Sequence, residues 1–238
     1  MDQGKARGSG GGGRERKGAG RVIDRMLHIC IGQAGSGKTH HLALVLRKRL
    51  AELGAAGRYP VTLIHDERMR QAGAWSPNCI GLLAPQRCRM ESPAALNGKL
   101  PGHVVAFWEC EAEEVAALAW KLGRATRDGV ILVVDELDRL GNPLPPQSCA
   151  YRAVHHGRGY GVDVLGTARR WANVDKGIVT QATGASVFRM QGAGHLDVAV
   201  IRQSGWPNAQ SLADQISKLP DRYYLDPFAG SQLQQRSE

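Results

Sequence analysis

Aromatic residues are scarce in this chain, 5% of 238, and acidic side chains number 22 against 31 Lys and Arg. No apolar run approaches the about 20 residues that a membrane-spanning helix needs, so no membrane span is expected. The first residues hold no apolar segment before a cleavage site, which argues against a secretory signal. Cysteine is sparse and unpatterned: Cys30, Cys79, Cys88, Cys110 and Cys149 are widely spaced, with no C-x-x-C pair. That usage speaks against a disulfide framework or a zinc site and for reduced thiols in a cytoplasmic setting. His155 and His156 have no Cys or acid at ligand spacing nearby and read as helix-end residues.

The chain has an excess of positive charge, +9 with a pI near 9.6. Such a balance favours a polyanionic partner such as nucleic acid, although a solvated basic surface would look the same. The hydrophobic fraction of 42% suits one globular α/β domain, expected over residues 21–230. Residues 1–20 are dominated by Gly with Lys and Arg and cannot bury enough apolar surface to offset their ordering entropy. They are expected to be a disordered basic tail, and residues 231–238 are expected to fray.

The organising stretch is Gly32-Gln33-Ala34-Gly35-Ser36-Gly37-Lys38-Thr39, a complete G-x-x-x-x-G-K-[ST] phosphate loop. Met26–Ile31 before it is a short apolar run that reads as a strand. Leu42, Val45, Leu46, Leu50 and Leu53 after it recur at helical spacing, with Gly54 as the expected stop. Backbone N–H groups of such a loop cradle a polyphosphate, helped by the partial positive charge of the helix N-terminus. Lys38 is placed to reach the β- and γ-phosphates, and the Thr39 hydroxyl to hold Mg²⁺.

Further strands are expected at Val61–His65 and at His103–Trp108, and the Cys79–Leu83 run reads as another strand or a loop packed on the core. Asp66 to Gly73 reads as irregular and Arg87 to Gly102 as a connection. Glu111, Glu113 and Glu114 place negative charge where a helix N-terminus favours it. Val115, Leu118, Ala119 and Leu122 form that helix's apolar stripe, which is expected to end near Gly123. Val130 to Val134 is an unbroken apolar run, the pattern of a buried central strand in a parallel sheet. Asp135 and Glu136 follow it, where ligands sit in open α/β sheets. Asp135 reads as the Mg²⁺-holding acid of a Walker B strand and Glu136 as the base that polarises water, while Asp138 reads as a surface residue. A helix after Pro145-Pro146, a strand at Gly161–Thr167, a helix over Val174 to Ala182 and a strand at Ala185–Met190 come next. A helix at Ala209–Leu219 and a short strand at Arg222–Leu225 close the domain.

The segments Gly157-Arg158-Gly159-Tyr160-Gly161, Val162 to Arg170, Val174 to Ile178 and Ala185 to Arg189 resemble the half of the FtsK/HerA superfamily that follows the Walker B strand. The resemblance spans roughly residues 26–190 and is weakest between Gly54 and Gly129. It implies a P-loop NTPase fold of the ASCE/RecA-like kind: a mostly parallel sheet flanked by helices, with an extra strand between the P-loop and Walker B strands. The family's Thr-Gln-Arg-Pro-like turn reads Thr167-Ala168-Arg169-Arg170 here, so Ala168 stands where the sensor Gln is expected. Thr167 or Arg169 would then sense the γ-phosphate. The resemblance further implies ATP with Mg²⁺, a ring that is usually a hexamer, and an arginine acting from the neighbouring subunit. Arg158 is the first candidate for that arginine, followed by Arg169 and Arg170. No Asn-Lys-x-Asp guanine-reading motif is present.

The chain's small size is most like the genome-packaging ATPases of tailless internal-membrane phages. That points to a double-stranded DNA translocase gripping phosphates without sequence preference. It would dock on a capsid vertex protein, in the host cytoplasm or on the virion. Two alternatives stay open on the same loop: a nucleotide or small-molecule kinase, and a nucleotide-switched phage morphogenesis protein.

Overall fold

The structure is a computed structural model that describes residues 24–66, 86–87, 104–107, 111–190, 192, 195–221, 223–229 and 233–235. The Gly-rich tail, the Cys79–Leu83 run and most of the 66–73 and 87–102 segments lie outside the described residues.

Among the described residues, nine strands form one sheet: β1 (Leu27–Ile31), β2 (Val61–His65), β3 (Gln86–Arg87), β4 (Val104–Phe107), β5 (Val130–Val134), β6 (Val162–Ala168), β7 (Gly184–Phe188), β8 (Tyr223–Leu225) and β9 (Leu233–Gln235). Their spatial order is β3-β4-β2-β5-β6-β1-β7-β8-β9. The seven strands from β3 to β7 in this order pair in parallel, and β8 and β9 pair antiparallel at one edge. β6 lies between β5 and β1, which is the inserted strand the family resemblance implied. Leu233–Gln235 is a correction to the expected fraying. It pairs with Tyr223–Leu225, and the sheet edge that β8 would otherwise leave open accounts for that pairing.

Alternation along the strands divides the core in two. On β5, Val130, Leu132 and Val134 face one apolar cluster and Ile131 and Val133 the other. Both faces are covered, which is why the strand reads as continuous apolar sequence. Helix α1 (Lys38–Ala55) covers the second face with Leu42, Ala43, Leu46 and Leu53. Helices α2 (Ala112–Ala125) and α3 (Cys149–Tyr160) cover the first. A buried ion pair, Arg49 Nε to Asp163 Oδ2 at 2.8 Å, fastens α1 to the start of β6.

Two helix ends differ from expectation. Helix α1 passes Gly54 and stops through Gly57, whose φ of 70° supplies the left-handed residue. Arg58 N then donates to Leu53 O and Gly57 N to Gly54 O, both at 2.9 Å, the paired bonds of a Schellman stop. Helix α2 starts as expected, with Glu111 and Glu114 forming a capping box, but runs through Gly123 to Ala125. Gly123 sits there because a Cβ would lie 2.5 Å from Val162 Cγ2 and 2.8 Å from Tyr160 O. The remaining helices are α4 (Lys176–Gln181), α5 (His195–Gln203) and α6 (Ala209–Gln215), the last extended by a 3-10 turn over Ile216–Lys218. Helix α5 has no counterpart in the sequence reading; its Asp197 is buried and accepts from Ala172 N at 3.1 Å.

Candidate active site

The C-terminal ends of β1, β5 and β6 meet at the phosphate loop. The loop leaves β1 at Ile31 and enters α1 at Lys38, with Gly35 and Gly37 at φ of 74° and 92°. A left-handed backbone there turns successive N–H groups toward one concavity, which only glycine does without strain. The loop is tied down by Gly32 N donating to Ala168 O (3.1 Å) and Gln33 N to Arg189 O (3.0 Å), so β6 and β7 both brace it. Lys38 Nζ donates to Gln33 O at 2.7 Å. Ser36 Oγ is buried with no hydrogen-bond partner among the described residues, a hydroxyl suited to a phosphate oxygen.

Thr39 Oγ1 donates to Asp135 Oδ1 at 3.1 Å, joining the first turn of α1 to the end of β5. Both are hard oxygen donors, the ligand type that magnesium takes. Thr39 and Asp135 therefore fit the Mg²⁺ site that the phosphate loop implies. Thr167, at the end of β6, completes the line. Its Oγ1 donates to Asp135 Oδ1 at 2.7 Å and accepts from Glu136 N at 2.9 Å. Asp135 N also donates to His65 O at 2.9 Å, bringing the end of β2 and the buried Asp66 beside it.

Glu136 adopts φ 69° and ψ 79°, a left-handed conformation that costs a non-glycine residue on the order of 1–3 kcal/mol. The Thr167 bond and two cations hold it there: Arg169 pairs with one carboxylate oxygen, and Arg139 Nη2 lies 3.3 Å from the other. Strain kept by several contacts is typical of a functional position. Arg139 was missed in sequence, although its i,i+3 spacing from Glu136 on the Leu137–Leu140 turn is a usable signal.

The remaining sequence candidates are scattered. Ala168 is fully buried and contributes only its carbonyl, to Gly32 N, so no side chain reaches the nucleotide from that position. Arg170 turns away, toward Asp197 at 3.9 Å and Gly192 O at 3.5 Å. Arg158 lies near the end of α3, pairing with Asp24 at 2.9 Å just ahead of β1, and its side chain is 74% exposed. That is the end of the sheet opposite its own phosphate loop. His155 stacks on Tyr151 within α3, with ring centroids 4.1 Å apart.

Sheet order, phosphate loop and paired acids together define a P-loop NTPase fold of the ASCE kind, with helices on both faces of a mostly parallel sheet. Solved structures of this fold include the genome packaging NTPase B204 from Sulfolobus turreted icosahedral virus 2. Its AMPPCP complex matches with a TM-score of 0.67 at 13% identity, covering 89% of this chain and 96% of that one. Its sulfate complex matches with a TM-score of 0.65 at 13% identity, covering 90% and 96%. The DNA-packaging ATPase B204 from Sulfolobus turreted icosahedral virus gives 0.63 at 14% identity, covering 89% and 97%. At these identities the likeness is one of fold. No protein-family profile and no curated protein sequence matches the chain.

Proposed function

We propose that this chain is an ATP-driven translocase of double-stranded DNA that works as a ring and packages a viral genome. The observation that carries the reading is the line Thr39–Asp135–Thr167–Glu136, which joins a metal-holding pair to a strained carboxylate at one edge of the phosphate loop. Its fold likeness to packaging NTPases over nearly the whole of both chains supports the same reading.

In this mechanism ATP and Mg²⁺ supply the phosphoryl group and neutralise its charge. The loop's N–H groups bind the phosphates, and Lys38 exchanges its bond to Gln33 O for the phosphate oxygens. Thr39 and Asp135 would hold the ion, while Thr167 fixes Asp135 from the far side. Glu136 orients the attacking water and takes its proton. Arg169, already bound to Glu136, couples that carboxylate to the exposed rim, and Thr167 or Arg169 fills the sensing role. Arg158 faces away from its own loop, so it would act on phosphates only from a neighbouring subunit, as an arginine finger does. The net charge of +9 suits phosphate contacts along the duplex, and a capsid vertex protein is the natural docking partner.

The test is ATP hydrolysis with and without linear double-stranded DNA, at two protein concentrations, with Glu136→Gln as control. Turnover per chain that rises with DNA and concentration, and is lost in the control, supports the ring motor. Turnover indifferent to DNA but requiring a hydroxylated small acceptor overturns it in favour of a kinase.

A further inference from the structure

Beneath the phosphate loop, on the sheet face covered by α1, the apolar packing is interrupted. His28 and Cys30 lie two residues apart on β1 and project to the same face. Ser186 on β7 is the register partner of Cys30. His41, from the first turn of α1, comes down on the same point. His28 Nε2 lies 3.1 Å and His41 Nε2 2.9 Å from Ser186 Oγ. One donor atom each from His28, Cys30 and His41 lies within 4.8 Å of the others. All four residues are buried, His41 at 7% exposure and Cys30 at 0%. Gly184 makes the space, since a Cβ there would lie 2.7 Å from His28 Nδ1.

Leu42, Leu46, Ile131, Val133 and Leu165 fill the rest of this face. Desolvating two imidazoles and a thiol among them is costly. A bound cation would offset that cost.

We propose that His28, Cys30 and His41, with Ser186 as fourth donor, form a buried zinc site that anchors the first turn of α1 to β1 and β7. Two nitrogens and a sulfur, with one oxygen, match the four-coordinate donor count of a structural zinc site, where bonds run about 2.0–2.3 Å. On binding, the Cys30 S–H bond is replaced by S–Zn and the proton leaves to solvent. The site is chemically distinct from the Thr39–Asp135 pair, whose hard oxygens suit magnesium. Being sealed, it would fill as the chain folds. His41 follows Thr39 by two residues, so the ion would hold the magnesium-binding turn from below.

The experiment measures metal content of the full chain refolded with equimolar zinc and dialysed against a mild chelator, with cobalt as a spectroscopic probe. The expected result is about one zinc per chain, at least tenfold less in Cys30→Ser and unchanged in Cys149→Ser. Cobalt should give a thiolate-to-metal charge-transfer band that Cys30→Ser lacks. In case Cys30→Ser does not fold, the unmodified chain decides alone: a strong chelator should lower its melting midpoint, and zinc should restore it. No bound zinc or cobalt, equal loading of Cys30→Ser, or a melting midpoint indifferent to chelation overturns the proposal. None of these readouts depends on ATP turnover or DNA.

Discussion

Each residue of the phosphate site has a separable task, and substitutions should separate them. Lys38→Ala removes a charged donor from the phosphates and should weaken ATP binding about 10- to 100-fold, read by titration with a fluorescent ATP analogue. Glu136→Gln keeps the shape and removes the proposed base. It should leave that affinity within a few-fold while lowering turnover roughly 10²–10⁴-fold, read by phosphate release. A parallel loss of both properties in Glu136→Gln would mean the residue supports the loop instead. His28 contributes a pH dependence of stability. Its folded-state pKa is about 3 against 6.5 for an unperturbed ring, so the unfolded chain takes up the proton first. The contribution is complete above pH 6.5 and is lost as pH falls toward 3, with a slope of at most about 1.4 kcal/mol per unit. In chelator-treated protein, the urea midpoint should fall more steeply between pH 6.5 and 4 than in His28→Asn.

At the scale of elements, helix ends and close approaches set the geometry. Glu113 was read in sequence as a charge favouring its own helix N-terminus, and its larger role is between helices. Its carboxylate accepts from Cys149 N at 2.6 Å and Ala150 N at 3.1 Å, capping α3 alongside Ser148. Glu113→Ala should cost about 1–2 kcal/mol, seen as a lower urea midpoint with nucleotide affinity retained. Gly123→Ala sets two opposing terms against each other. Helix propensity favours alanine by about 1 kcal/mol. Overpacking against Val162 and the Tyr160 carbonyl costs about 1–3 kcal/mol and should win, because a β-branched side chain and backbone cannot yield. A stabilised Gly123→Ala variant would show that α2 slides on β6 more freely than this packing implies.

For the whole molecule, the proposal that Arg158 acts on a neighbour's loop makes assembly a condition of catalysis, and it can be tested directly. Lys38→Ala and Arg158→Ala should each be inactive alone. Mixed, they should recover a fraction of unmodified turnover, because some interfaces would pair an intact loop with an intact arginine. A mixture as inactive as its parts removes Arg158 from the site and leaves Arg169 as the candidate.

How much of this was legible depended on the range over which each feature is encoded. The phosphate loop, the Val130–Val134 strand and the acids after it are local, because loop shape and strand burial follow from neighbouring residues. The inserted strand β6 was reached through family resemblance, since no local pattern states which strands lie side by side. Other features depend on residues far apart in the chain. Thr167 meets Asp135 across 32 positions, Glu113 caps a helix 36 residues on, and Leu233–Gln235 gains a partner in β8. The His28, Cys30 and His41 cluster is the sharpest case. Spacing along the chain gave no ligand pattern, and Ser186, the hydroxyl at its centre, lies 158 residues from His28. Sequence alone determined that this protein holds a phosphate loop and a carboxylate pair on an α/β sheet. Parallel pairing in the sheet, which brings distant strand ends into register, decided which side chains stand beside them.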